Sequence, residues 1–433
     1  MLDLKFVRQY PDKVKQACQS KNLDPQIVDD FIQIDTRYRQ LLQQIEQLRS
    51  QKNQLNQQLK QERLPELIEQ SKQLKHQLTQ LEPQLRQLKT QHHQLALRLP
   101  NIPLPEVPIG KDETDNQVVR TWGQKPKFSF KPRNHIELGT SLGILDLERG
   151  SKVAGFRGYF LKGKGAIMQM ALMRYALDKF VQKGYTPMIA PAITKEFTFY
   201  NTGHFPWGIK ETYKLTAEDK LLDDETKEAY FLAGTAEIPL VSYYAGETLQ
   251  EKDLPIKMIG YSPCFRREAG SYGKDTRGFY RVHEFWKIEQ VVICKNDLEE
   301  SRRLHEEMLN FTEELQQELG LHYRVLLMCT GDMGEPHAKK YDIETWMPGR
   351  GDYGETASDS IMLDFQSRRA NIKYQAKDGT LKFVHMLNNT ALPSTRILIA
   401  LWENYQQPDG SIKIPDPLVP YTGFDHIQPP TKK

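Results

Sequence analysis

The sequence predicts an α+β fold in two parts: an antiparallel helical coiled-coil hairpin at the N-terminus, then a larger domain of antiparallel strands flanked by helices. Three observations carry this. Apolar residues recur in steps of three and four through two runs between Phe31 and Leu99, with one proline-marked break between them. Residues 279–289 alternate with period two behind a glycine-rich, charged loop. The 433 residues exceed what one ordinary core accommodates, so two domains are expected.

Residues 1–22 read as one short helix with Leu4, Val7, Val14 and Cys18 on a loose apolar face. Asp24-Pro25 has the form of an N-cap followed by proline at the first helical position. A heptad then runs through Phe31, Ile34, Tyr38, Leu41, Ile45, Leu48, Lys52, Leu55 and Leu59. The stretch Arg63-Leu64-Pro65-Glu66 interrupts it. A second heptad follows through Leu67, Ser71, Leu74, Leu78, Leu81, Leu85, Leu88, His92, Leu95 and Leu99. Two matched runs with a short break make an antiparallel hairpin. At 1.5 Å per residue, ~35 residues give an arm of roughly 50 Å. Pro83 should kink the second helix.

Between Arg37 and Arg98 eleven Lys/Arg face five Glu, an excess of six positive charges on a thin rod whose remaining surface is largely Gln. That composition suits shape-led RNA binding through phosphate and ribose; a dimerising or spacer coiled coil is the alternative. The proline-rich run 100–108 is a stiff exit, and the domain boundary is expected near residue 110, giving domains 1–110 and 111–433.

Beyond it, residues 111–132 read as a polar connector with one short strand, Val118–Trp122. Val153–Phe160 reads as a glycine-punctuated strand. Residues 166–183 form a helix ended by Gly184, and Tyr185–Pro191 a strand closed by proline. Thr235 and Glu237 flank the small Ala236 on an expected extended segment, so both side chains can face one pocket. Cys264 and Phe265, with Arg266-Arg267-Glu268, end one strand. A mobile, basic loop follows, and a second, antiparallel strand runs from Phe279 to Glu289. On that strand Tyr280, Val282, Glu284, Trp286 and Ile288 share one face, and Arg281, His283, Phe285, Lys287 and Glu289 the other. A cation, a ring and a carboxylate in register can hold a phosphate, a base and an amine. Further on, Asp342–Trp346 alternates as a strand and residues 397–404 form a helix.

Composition narrows the function classes. A net charge of +3 argues against a wholly basic nucleic-acid coat but allows a local basic face. The four cysteines, Cys18, Cys264, Cys294 and Cys329, form no CxxC or Cys/His cluster, so neither structural zinc nor a disulfide framework is expected. The N-terminus lacks the apolar core of a signal peptide, and no run approaches the ~20 apolar residues of a membrane helix. A soluble, reduced, cytoplasmic protein is the expectation.

The stretch from Phe265 to Glu289 follows the pattern FRxEAGSxGxDTRGxxRxHxFxKxE. It resembles motif 2 of class II aminoacyl-tRNA synthetases, in the form found in bacterial-type seryl-tRNA synthetases, with Glu284 where Gln is usual. The resemblance spans the chain. The arm is similar to the tRNA-binding arm of that family. The helix and strand of 166–191 resemble motif 1, which lies at a homodimer interface. Thr235-Ala236-Glu237 matches the serine-contacting loop. Tyr353–Ser358 resembles the family's Arg-Glu-Ile-Ser-Ser, with Gly354, Ala357 and Ile361 departing from the usual Arg, Ser and Asn. Residues 385–396 resemble motif 3, with Asn388-Asn389-Thr390-Ala391 in place of Asn-Gly-Ser-Gly. The tail 415–421 ends near the active site in that family.

The resemblance implies a class II catalytic domain on an antiparallel sheet and a serine–tRNA ligase that uses ATP and Mg²⁺. The partners it implies are L-serine, serine tRNA, selenocysteine tRNA and a second copy of the chain. Arg266 is implied at the α-phosphate, Arg396 at the γ-phosphate, Phe285 stacked on adenine and Glu268 at its amino group. Arg267, Val282, Thr356 and Ala357 complete the implied ATP contacts. Glu355 and Ser358 are implied Mg²⁺ ligands. Thr235, Ala236, Glu237, Arg266, Glu289, Asn388 and Thr390 are implied around serine, and Arg266, Glu355 and Arg396 as the catalytic set. Two other readings bear on the same residues. A relative that charges a carrier protein would lack the arm, and an inactive scaffold would not keep Arg266, Glu268, Glu355 and Arg396.

Overall fold

The computed structural model describes residues 1–62, 64–216, 229–269 and 278–430. The chain divides into two compact units, residues 1–100 and 101–433. The division falls ten residues before the boundary expected at 110. The Asn101 amide donates to the Glu335 carbonyl (2.9 Å), and its side chain donates to the carbonyls of Pro336 and Met362. The stiff exit is therefore already part of the second unit.

In the first unit the expected single helix is two, α1 (Leu4–Gln9) and α2 (Pro11–Ser20), because Pro11 cannot continue the first helix and opens the second. The Asp24 carboxylate accepts from the Gln26 amide (2.9 Å), and α3 runs Gln26–Gln61. The return helix, α4 (Pro65–Leu97), passes through Pro83 without interruption. The positions turned out of solvent follow the heptads: Phe31, Ile45 and Leu78 are buried, and Tyr38, Leu48, Leu55, Leu74 and Leu85 are half-buried. Arg49 pairs with Glu82 across the hairpin (2.8 Å). At one end Asp35, buried, takes a two-point contact from Arg8 (2.7 Å each) and a third from His92 (2.9 Å), tying α1, α3 and α4 together.

The second unit is built on an eight-stranded sheet: β1 (Gln117–Trp122), β2 (Thr186–Ile189), β3 (Ile256–Phe265), β4 (Glu284–Cys294), β5 (Tyr323–Leu327), β6 (Lys339–Met347), β7 (Asp352–Leu363) and β8 (His385–Pro393). The spatial order is β1-β5-β6-β7-β8-β4-β3-β2. Every pairing is antiparallel except β2 with β3. The helices of this unit are α5 (His135–Ser141), α6 (Leu147–Ala154), α7 (Gly163–Gln182), α8 (Glu196–Thr202), α9 (Glu237–Ser242), α10 (Leu298–Glu318), α11 (Phe365–Ala370), α12 (Ser394–Asn404) and α13 (Val419–Thr422). No helix among the described residues is long and apolar enough to cross a membrane.

The strand expected at 153–160 is instead the end of α6 and a turn. Asp146 caps that helix by accepting from the Arg149 amide (3.0 Å), and Gly155 (φ +78°) ends it. The second strand of the central pair starts at Glu284, five residues later than expected, and the basic loop of residues 270–277 lies outside the described residues. The tail packs on α7 through Tyr421, which donates to Asp178 (3.2 Å) and meets Tyr175 edge-on, and it does not line either cavity described below.

α10 covers one face of the sheet. From it Thr312 and Gln316 bond Asn389 and Thr356, both within the buried sheet. The other face carries the site.

Candidate active site

Directly opposed residues on neighbouring strands share a face. One such row crosses five strands: Asp342 on β6, Ser358 on β7, Thr390 on β8, Glu289 on β4 and Gly260 on β3. A polar row of this kind in mid-sheet is a site floor. Glu355 and Ser358 are three apart, which in a regular strand would put them on opposite faces. The register shifts there: Glu355 pairs with Glu344 and Ala357 with Ile343, leaving Thr356 as the extra residue of a bulge. The bulge returns Glu355 and Ser358 to one side. Thr356 and Ala357 turn to the other. Thr356 bonds Thr345 and Gln316, and Ala357 packs with Leu309 and Tyr323. Their side chains do not reach the site, so only their backbone is available to a nucleotide.

A narrow cavity above the row is lined by Arg266, Glu268, Val282, Phe285, Glu355 and Arg396, with Tyr280, Arg281, Lys287, Thr390, Pro393 and Thr395. The Arg266 guanidinium stands 5.5 Å from the Phe285 ring centre, and its Nε donates to the Gly234 carbonyl (3.3 Å). Arg396, on the first turn of α12, pairs with Glu355 (3.1 Å) and lies 4.7 Å from the Tyr280 ring centre. Burial pushes the Glu355 carboxyl up, but the surrounding cations Arg396, Lys340 and Arg266 outweigh it and hold it well below the usual range. Glu268, at a left-handed backbone position (φ +53°), faces Arg157 and Arg281 at 3.6 Å each. Arg267 lines neither cavity; its amide donates to the Glu211 carbonyl.

Beside Arg266 lies a tighter subsite. Lys287 and Glu289 form a buried ion pair (2.6 Å). Thr390 Oγ1 accepts from Lys287 Nζ (3.0 Å) and lies 3.1 Å from Glu289 Oε2, to which it donates. Thr235 and Glu237 sit on a turn into α9 and not on an extended segment. Thr235 Oγ1 accepts from the Glu237 amide (3.2 Å), and the Glu237 carboxylate accepts from Gln366 (2.7 Å) and Asn388 (3.0 Å). Gly260 makes this approach possible. A Cβ there would come within 2.7 Å of the Ala236 Cβ, so α9 descends onto the sheet only because the row ends in glycine. Ala236 is spent on that packing, wholly buried, and presents nothing to a ligand. Burial and the nearby Glu289 charge raise the Glu237 carboxyl to about 7.

Lys287 and Gln366 were not among the sequence candidates. Lys287 was legible, lying between Phe285 and Glu289 on the same strand face. Gln366 lies in Asp364–Arg369, a stretch that resembles the family pattern without a role attached, and Arg157 acts from a distant segment that no local pattern marks.

A sheet face with an Arg-x-Glu leaving one strand, a helix-borne arginine opposite it and an aromatic ring between them defines the core of a class II aminoacyl-tRNA synthetase. Two family models match: the tRNA synthetase class II core domain (G, H, P, S and T) over residues 213–405, and the seryl-tRNA synthetase N-terminal domain over residues 1–103. The serine–tRNA ligase of Deinococcus radiodurans is 44% identical over 98% of each chain. That of Thermotoga neapolitana is 44% identical over 99% of this chain and 100% of its own. Among solved structures, the seryl-tRNA synthetase of Pyrococcus horikoshii complexed with ATP superposes with a TM-score of 0.90 and 38% identity, covering 99% of this chain and 100% of that one. The cytoplasmic serine–tRNA ligase of Naegleria fowleri in complex with AMP gives 0.85 and 31%, covering 99% of each. The chain belongs to the seryl-tRNA synthetase family.

Proposed function

We propose that this chain activates serine with ATP and transfers it to the 3′ end of serine tRNA. One observation carries the reading: two phosphate-type cations, Arg266 and Arg396, and the Phe285 ring line one cavity that adjoins the Lys287–Glu289–Thr390 cluster. Solved relatives with ATP and AMP bound support a nucleotide there. The serine carboxylate attacks the α-phosphate, pyrophosphate leaves, and a terminal ribose hydroxyl then takes the acyl group. No side chain need bond covalently to substrate; placement and charge neutralisation supply the rate.

Arg266 takes the α-phosphate, Arg396 the γ-phosphate, Phe285 the adenine face and Glu268 the adenine amino group. Glu289 and Glu237 receive the serine ammonium, with Thr235 and Asn388 holding Glu237 in place. Thr390, already polarised by Lys287, meets the serine hydroxyl. Glu355 and Ser358 fit Mg²⁺. They are oxygen donors brought to one face by the bulge, and Asp342 Oδ1 in the same row is buried with no hydrogen-bond partner. Bound there, the ion would neutralise phosphate charge. Arg396 must then exchange Glu355 for a phosphate.

The arm is the tRNA-gripping unit, serving serine tRNA and, in cells that have one, selenocysteine tRNA. The chain works in the cytoplasm as a homodimer. Apolar side chains left exposed on α6, α7 and β2 and beside them, among them Val153, Phe156, Ile167, Met170 and Ile189, support that pairing. Amino-acid-dependent ATP–pyrophosphate exchange across the standard amino acids tests the assignment. Serine should lead alanine by ~10⁴-fold, because a subsite built to hydrogen-bond a hydroxyl rejects the analogue lacking it. Alanine within roughly tenfold of serine would refute it.

A further inference from the structure

A second cavity, of about 500 Å³, adjoins the first and shares Arg266, Glu268 and Arg281 with it. That volume lies in the range of small-molecule sites, about 300–1,000 Å³. Its wall carries one imidazole, His204, for which the activation step has no use. The chain reaches it by a sharp turn at Gly203 (φ +89°), packed against Pro336 and Phe365.

The Thr202 hydroxyl holds the His204 ring. The Thr202 hydroxyl donates toward the backbone carbonyls of Thr198 (3.3 Å) and Phe199 (3.1 Å). His204 Nδ1 lies 2.8 Å from the same oxygen. When that hydroxyl proton lies on a carbonyl, Nδ1 donates to the hydroxyl oxygen. In that tautomer Nε2 carries the lone pair. It stands 4.0 Å from Glu237 Oε2, beyond hydrogen-bond range, and the side chain keeps 35% of its surface open. In that tautomer an acceptor faces a nucleoside-sized space, between the carboxylate placed at the serine ammonium and the arginine placed at the α-phosphate.

We infer that this cavity seats the terminal nucleoside of the tRNA and that His204 Nε2 accepts the proton of the attacking ribose hydroxyl in the transfer step. The inference rests on the reading of the chain as a serine–tRNA ligase. The hydroxyl oxygen forms the ester bond to the seryl carbonyl carbon. The bond from that carbon to the phosphate oxygen breaks, its electron pair leaves with AMP, and the proton passes to Nε2 and then to solvent. In the free protein burial, Arg266 and Lys287 hold the imidazole at about 3, which keeps the acceptor unprotonated. A phosphate beside Arg266 offsets part of that field and makes Nε2 more basic when the adenylate is in place.

The test separates the two half-reactions. Pre-formed enzyme–seryl-adenylate is mixed with serine tRNA in single-turnover quench flow, and serine-dependent exchange is measured on the same preparations. His204→Phe keeps the ring and removes the acceptor; the ratio of transfer rate to exchange rate should fall about 100-fold. His204→Gln keeps a hydrogen-bond acceptor at similar reach but cannot take a proton, so its ratio should stay within about threefold of that of His204→Phe, whereas a purely positioning role would let Gln recover at least tenfold of the loss. Thr202→Val, which removes the partner of Nδ1, should lower the ratio about tenfold. Transfer and exchange falling in parallel, a ratio within threefold of wild type in His204→Phe, or recovery of at least tenfold of the loss by Gln would each overturn the inference. Absence of serine-dependent exchange in the unaltered chain would instead overturn the underlying reading.

Discussion

The two units solve opposite problems. The arm buries almost no polar groups. Its core is built from aliphatic residues and Phe31, and its charges and glutamines stay largely in solvent, apart from the buried Lys21 and the point where Asp35 ties Arg8 and His92 together. The catalytic unit does the reverse. It buries Lys287, Glu289, Asp342 and Asp359 within the sheet and Glu237 at the start of α9. Removing such charges from water costs several kcal/mol each unless they are paired and bonded. Lys287 and Glu289 pair with each other, Asp342 with Lys340, and Glu237 accepts from Gln366 and Asn388. Recognition of a large, charged partner calls for a long surface with little internal chemistry. Making and breaking a phosphate anhydride calls for charges fixed in place before substrate arrives.

Substitutions sharpen this contrast, the largest effect first. Arg396→Ala should lower serine-dependent exchange about 100-fold or more, since one fixed cation in a shielded site contributes on the order of 3 kcal/mol to a phosphoryl transition state. Affinity for tRNA, measured by filter binding, should stay as it was. Exchange near wild type would remove Arg396 from the γ-phosphate.

Glu237 makes a pH prediction. With its carboxyl raised to about 7, it is mostly neutral at pH 6 and ionised at pH 8. The KM for serine in exchange should therefore fall roughly three- to tenfold between those values, and Glu237→Gln should flatten the profile. The linked stability runs the other way. The folded state holds a proton that the unfolded chain releases near 4.3, so this contribution is full below that value and is lost as pH rises to about 7.

The smallest effect belongs to the arm. Asp35→Ala should weaken the α1–α3–α4 junction by about 1–3 kcal/mol, read as lost hydrogen-exchange protection near residue 35, with exchange activity unaltered. A fall in serine activation would show that the units are not separable.

The arm was legible in outline because a heptad is a one-dimensional signal. The half-buried and buried positions of α3 and α4 follow the periodic residues almost one for one. The catalytic strands were legible where alternation is strict, as at 284–289, and misread where capping outweighs pattern, as at Asp146 and Gly155. The bulge that aligns Glu355 with Ser358 arises from pairing with β6, and spacing alone would have separated those residues. Motif resemblance supplied roles for Thr356 and Ala357 that their side-chain directions do not share. Gln366, Arg157 and His204 reach the site from segments far apart in the chain, where only the folded sheet brings them into view.

The division of labour is tested most directly by one preparation assayed twice: the chain with residues 30–95 replaced by a short flexible turn. Every residue placed at ATP or serine lies beyond 230, and the two units are compact in themselves. Serine-dependent exchange should persist within a fewfold. Charging of serine tRNA should collapse, and tRNA binding should lose the salt dependence that phosphate contacts confer, a log–log slope of roughly −0.7 to −0.9 per phosphate neutralised. Near-normal charging by the shortened chain would contradict the account and leave the arm a spacer.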